Sequence, residues 1–122
     1  EEGLKTLTDF KRVLKPNGVL RIAMPDLENT MREYFNPNWK DAPVFKKHGL
    51  ESIQTKAERT NISFRWWGHK WLYDWEELER RLKEAGFTDI KKCELRRSGY
   101  KDLTGLETRD ESTLIAEAIN VD

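Results

Sequence analysis

Apolar residues in the first part of the chain follow two different periods. Leu4, Leu7, Phe10 and Leu14 recur at helical spacing, with Asp9, Lys11 and Arg12 turned away, which predicts an amphipathic helix. Lys15-Pro16-Asn17-Gly18 then stops it. Lys15 suits the negative end of a helix dipole, Pro16 cannot continue the hydrogen-bond ladder, and Asn17-Gly18 tolerates the positive φ of a tight turn. Val19, Leu20, Ile22, Ala23 and Met24 follow with only Arg21 between them. So short and continuous an apolar run predicts a strand covered on both faces, as in a parallel sheet.

The helical period returns at Leu27 to Phe35, with Leu27, Met31, Tyr34 and Phe35 placed on one side and Asn36-Pro37-Asn38 as the stop. Residues 39–48 read as a loop with room for one turn of helix, and Leu50 to Asn61 as a helix. The surest helix starts at Asp74, an N-cap with Glu77 three residues on and a hydrophobic staple between Tyr73 and Leu78. Trp75, Leu78, Leu82 and Ala85 share its apolar face. The pairs Glu76/Arg80, Glu77/Arg81 and Glu79/Lys83 lie four apart, and Gly86 closes the end. Phe87 to Arg97 partly alternates through Phe87, Asp89/Ile90, Cys93 and Leu95, which predicts a strand. Leu114, Ile115, Ala116, Ala118 and Ile119 form another apolar run, beyond a long charged connection over residues 97–112.

Composition narrows the function classes. A chain of 122 residues with 37% hydrophobic residues is one domain at most, and 22 basic against 22 acidic side chains give no net field toward nucleic acid or an anionic membrane. No apolar run reaches the length of a membrane helix. A single cysteine, Cys93, rules out an internal disulfide and fits a reducing cytoplasm, and His48, His69 and Cys93 lack metal-ligand spacing.

The segment Arg12-Val13-Leu14-Lys15-Pro16-Asn17-Gly18-Val19-Leu20 resembles the helix–turn–fifth-strand unit of class I S-adenosylmethionine-dependent methyltransferases, with Asn17 where that family usually has Gly. Glu84-Ala85-Gly86-Phe87 is similar to the turn leading into the family's sixth strand. The resemblance implies an α/β fold: part of a Rossmann-like sheet of about three strands with flanking helices. A seventh strand, at Thr113 to Asn120, would pair antiparallel with both Val19 to Met24 and Thr88 to Arg96, and residues 27–72 would form a variable, cap-like insertion. It further implies a parent enzyme that transfers a methyl group from S-adenosyl-L-methionine to a small acceptor. The family holds that cofactor mainly on a glycine-rich turn in the first half of the sheet, and none of the seven glycines here forms a Gly-x-Gly cluster. With its Glu-Glu-Gly start, the chain reads as the C-terminal half of the domain. The strand at Val19 to Met24 is then expected to lack a neighbour and to invite dimerisation or strand exchange.

Candidate site residues follow from the same frame. Asp26 succeeds the first strand at the end where open α/β sheets bind ligands, and it is equally a helix-start signal. His69 is the best available base, because an unperturbed imidazole side chain titrates near neutrality, with backbone bonding that fixes its loop as the alternative. Trp66, Trp67 and Tyr73 offer an aromatic wall for a substrate or ordinary packing, and Arg65 a carboxylate or phosphate contact or a stack on tryptophan. The competing reading is a non-enzymatic binding module using residues 64–75 for single-stranded nucleic acid or another partner; zero net charge argues against nucleic acid.

Overall fold

The computed structural model describes residues 2–41, 52–65, 71–109 and 111–121. Its elements run α1 (Glu2–Val13), β1 (Gly18–Met24), α2 (Leu27–Phe35), a 3-10 turn at Trp39–Asp41, α3 (Lys56–Arg65), α4 (Trp75–Glu84), β2 (Thr88–Cys93), a 3-10 turn at Lys101–Leu103, and β3 (Leu114–Asn120). The chain forms two compact units, one of Glu1–Pro25 with Tyr73–Asp122 and one of Asp26–Leu72.

The larger unit is built on a three-stranded sheet of order β1-β3-β2, in which β3 lies antiparallel to both neighbours. Gly18 pairs with Asn120 and Met24 with Leu114, so β1 meets β3 over its whole length. Both outer strands therefore run the same way, as the sequence led us to expect. Among the described residues β1 has no second neighbour.

One face of this sheet carries the core. Leu7 of α1, Leu78 and Leu82 of α4, and Leu114, Ala116 and Ala118 of β3 are all buried, together with Phe87; Leu20, Ile22 and Met24 of β1 pack against them. Burying seven such side chains is the main stabilising term of the unit, at about 1.5–3 kcal/mol for each large aliphatic or aromatic one. The turn after α1 is fixed by Asn17 at φ 64 and by the backbone N–H of Gly18 donating to the Lys15 carbonyl. Asn120 at the end of β3 is buried and donates from Nδ2 to the carbonyls of Lys11 and Leu14, 3.0 Å each. It thereby satisfies two of the carbonyls that the C-terminus of α1 leaves open.

Several expectations need correction. Phe10 is 37% exposed, and the stripe of α1 that faces inward is Leu7 and Leu14, with the stem of Lys11 close to Gly86. Arg80 pairs with Glu77 and Glu84 rather than Glu76, because residues three apart on a helix are as close as those four apart. The other two ion pairs form as read, Glu77 with Arg81 at 3.3 Å and Glu79 with Lys83 at 3.7 Å. Asp74 caps α4, accepting from the N–H of Glu77 at 2.9 Å, and Gly86 closes it with φ 96. The strand beginning at Thr88 stops at Cys93, short of Arg96, and its imperfect alternation has a physical cause. Asp89 takes φ 48, and the register slips between Thr88 and Lys91. The bulge inserts one residue, so that Phe87 and Ile90, three apart, both reach the core.

The smaller unit pairs α2 with α3. α3 begins at Lys56, later than the sequence reading, behind Thr55, whose Oγ1 accepts from the N–H of Glu58 at 3.1 Å. On α2 it is Thr30 that is buried, while Met31, Tyr34 and Phe35 are 39%, 41% and 77% exposed. The inward face is rotated by about a quarter turn from the apolar stripe. Glu33 of α2 and Arg59 of α3 interact electrostatically; burial pushes the Arg59 guanidinium down, and Glu33 opposes that shift.

Candidate functional site

Asp26 is the N-cap of α2. Its Oδ1 accepts from the N–H of Glu28 at 3.0 Å and its carbonyl from the N–H of Thr30 at 3.1 Å. Tyr73 belongs to the larger unit, where its half-buried ring packs against the core and its hydroxyl lies against α1. A Cβ built on Gly3 would stand 1.9 Å from that oxygen. Arg65 is the last residue of α3; its side chain, like Trp66, Trp67, His69 and His48, lies outside the described residues. Among the described residues no group of three or more His, Cys, Asp and Glu side chains is placed to hold a metal ion.

The structure assembles a different polar set, on the sheet face opposite α1 and α4. Alternation along β1 puts Val19, Arg21 and Ala23 on that face, and the connection after β2 passes over it. The Arg21 side chain is nearly buried. Its Nε donates to Glu107 Oε2 at 3.1 Å, Nη1 to Glu117 Oε2 at 2.8 Å, and Nη2 to Glu107 Oε1 at 2.6 Å and to the Glu94 carbonyl at 3.0 Å. The three side chains are 4–5% exposed.

Further contacts complete the set. The Arg96 N–H donates to Glu107 Oε1 at 2.6 Å, and Arg96 Nε to the Glu107 carbonyl at 3.0 Å. Ser98 Oγ donates to Glu117 Oε2 at 2.5 Å while accepting from the N–H of Tyr100. Hydrogen bonds from Arg21 hold the Glu107 carboxyl down to about 2, with burial opposing them, and Glu107 in turn raises the Arg21 guanidinium. Burial pushes the thiol of Cys93 up, and Glu117 adds to that shift, so this cysteine is a poor nucleophile.

This fork-to-fork cluster is a clamp. Residues 86 and 96 apart in sequence hold the connecting segment down on β1 and β3. In this cluster four of the five N–H donors of Arg21 are directed at protein oxygens. Its sequence signal was the isolation of Arg21 and Glu117, each the single charged residue of an apolar strand. Glu107 had no comparable mark.

Beside the clamp lies a pocket of about 490 Å3. Its floor is Val19, Arg21 and Ala23, and its wall includes Leu103, Leu106 and Arg109. Gly18 is the first residue of β1, Gly86 lies at the end of α4, and Gly99 and Gly105 lie in the connection after β2. None stands between a strand end and a following helix, where a sulfonium cofactor's methionine moiety is cradled by backbone N–H groups. Compared with family models, with curated proteins and with solved structures, the chain matches none of them.

Proposed function

We propose that this chain is the substrate-side part of a class I S-adenosylmethionine-dependent methyltransferase, acting on a small acceptor, with the cofactor held by sequence outside these residues. The observation that carries the reading is the sheet order. A central β3 runs antiparallel between β1 and β2, each of which follows a helix packed on the same sheet face. The helix-Lys-Pro-Asn-Gly-strand and Glu-Ala-Gly-Phe-strand transitions fall at the two outer strands, which supports the same assignment. On this reading β1 is the strand along which the sheet continues, and Asp26 shapes the start of α2 rather than touching the acceptor.

The test is calorimetric titration of S-adenosylmethionine into two polypeptides: the product of the complete reading frame that carries this sequence, and the 122-residue chain alone. Micromolar binding by the first and none by the second is expected, with transfer of a labelled methyl group by the first to an acceptor in a small-molecule panel. Absence of binding by the complete product overturns the enzyme reading. Micromolar binding by the 122-residue chain overturns the placement of the cofactor.

A further inference from the structure

The pocket over β1 carries an inference that stands apart from the methyltransferase reading, because it uses the sheet face rather than the strand edge. We propose that it binds a small aliphatic monocarboxylate, with the guanidinium of Arg109 as its carboxylate partner. Its volume, about 490 Å3, is in the range of small-molecule sites. Val19, Ala23, Leu103 and Leu106 give it aliphatic walls, and Leu106 is 55% exposed, an uncovered apolar surface beside the opening.

The polar lining divides into two parts. Arg21 and Glu107 answer each other, and both oxygens of Glu107 already accept hydrogen bonds. Arg109 has no ion pair among the described residues, and the hydroxyl-bearing Thr108 and Ser112 lie near it on the same wall. One planar guanidinium fork matches one carboxylate in bidentate fashion. Among the described residues the lining holds no second uncommitted cation, so a phosphate dianion would be left half-neutralised. A neutral alcohol would use the apolar walls and leave Arg109 unanswered.

The test is an amide chemical-shift titration of the 15N-labelled chain with sodium hexanoate, hexan-1-ol and hexylamine at constant ionic strength. Hexanoate should give saturable shifts concentrated at residues 19–23, 103–109 and 112, with hexan-1-ol binding about tenfold more weakly, as expected for the loss of a charge-assisted pair. Arg109→Gln, an exposed position outside the core, should weaken hexanoate about tenfold and leave hexan-1-ol unchanged. Arg97→Gln, which alters an exposed arginine paired with Glu94, should change neither. Equal affinity for hexanoate and hexan-1-ol, tighter binding of hexylamine, an unaffected Arg109→Gln variant, or shifts scattered over the surface would each overturn the proposal.

Discussion

Replacing Arg21 with methionine should destabilise the protein severely, in a manner that identifies the clamp as electrostatic. The variant keeps an unbranched apolar stem in place of the arginine methylenes and removes four hydrogen bonds to Glu107, Glu117 and the Glu94 carbonyl. Two carboxylates with side chains only 5% exposed then face each other without their cation. Breaking a buried pair from one side costs about 3–5 kcal/mol, a large share of the roughly 5–15 kcal/mol that holds a domain together.

The sign of the pH dependence follows from Glu107. Its folded value, about 2, lies below the ordinary 4.5, so the pair stabilises the native protein fully above 4.5 and the contribution is lost as pH falls toward 2. That interval corresponds to about 3 kcal/mol, reduced to about 2 by residual solvent screening. In Arg21→Met the orphaned carboxylates should take up protons more readily in the folded state. The stability gap between variant and parent should therefore narrow on acidification from pH 7 to pH 4. Urea unfolding followed by tryptophan fluorescence at both pH values measures this. A loss below about 1 kcal/mol at pH 7, or a gap that stays constant with pH, refutes the argument. Replacing all three charged residues with apolar ones of similar size should cost far less than Arg21→Met alone.

Three other outcomes are expected. Asn120→Ala should lose about 2 kcal/mol in urea unfolding, since it leaves the carbonyls of Lys11 and Leu14 without their buried donor. Gly86→Ala should lose about 1–2 kcal/mol through its φ of 96. A Cβ there would stand 2.8 Å from Cε of Lys11, a flexible tip that can move aside, so a Lys11→Ala background should not rescue the loss; full rescue would show that crowding, not backbone strain, sets the cost. Asp74→Ala should remove about 1 kcal/mol with the cap on the Glu77 N–H, whereas Asp74→Asn should keep most of it by thermal melting.

What the sequence made legible was local or carried by period. α1, its Lys-Pro-Asn-Gly stop, β1 and the Asp74-capped α4 each rest on residues within a few positions of one another, and each forms where it was expected. The order β1-β3-β2 was reachable only through resemblance, because nothing in an apolar run names its neighbour. β2 blurred because a bulge at Asp89 breaks the two-residue period on which reading a strand depends. On α2 the buried side does not coincide with the apolar stripe. Its apolar residues make the better stripe, yet the helix meets α3 through the side that carries Glu33, opposite Arg59.

The clamp shows why the remaining part of the site was hidden. A charge inside an apolar strand announces that a counter-charge exists, because leaving Arg21 buried alone would be prohibitive. It does not say where the partner lies. Glu117 could have been inferred, since it sits directly across from Arg21 once β1 is paired with β3. Glu107 could not: it belongs to a charged connection in which Glu94, Asp102 and Glu111 are equally eligible by composition. Geometry selects it, through the bond from the Arg96 N–H and the fork to Arg21. The same selection creates the pocket, for the segment that Glu107 pins down carries Leu103, Leu106 and Arg109 over β1. Glu107→Gln should therefore do more than weaken an ion pair. By loosening that segment it should lower hexanoate affinity together with stability, whereas Arg109→Gln should lower affinity alone.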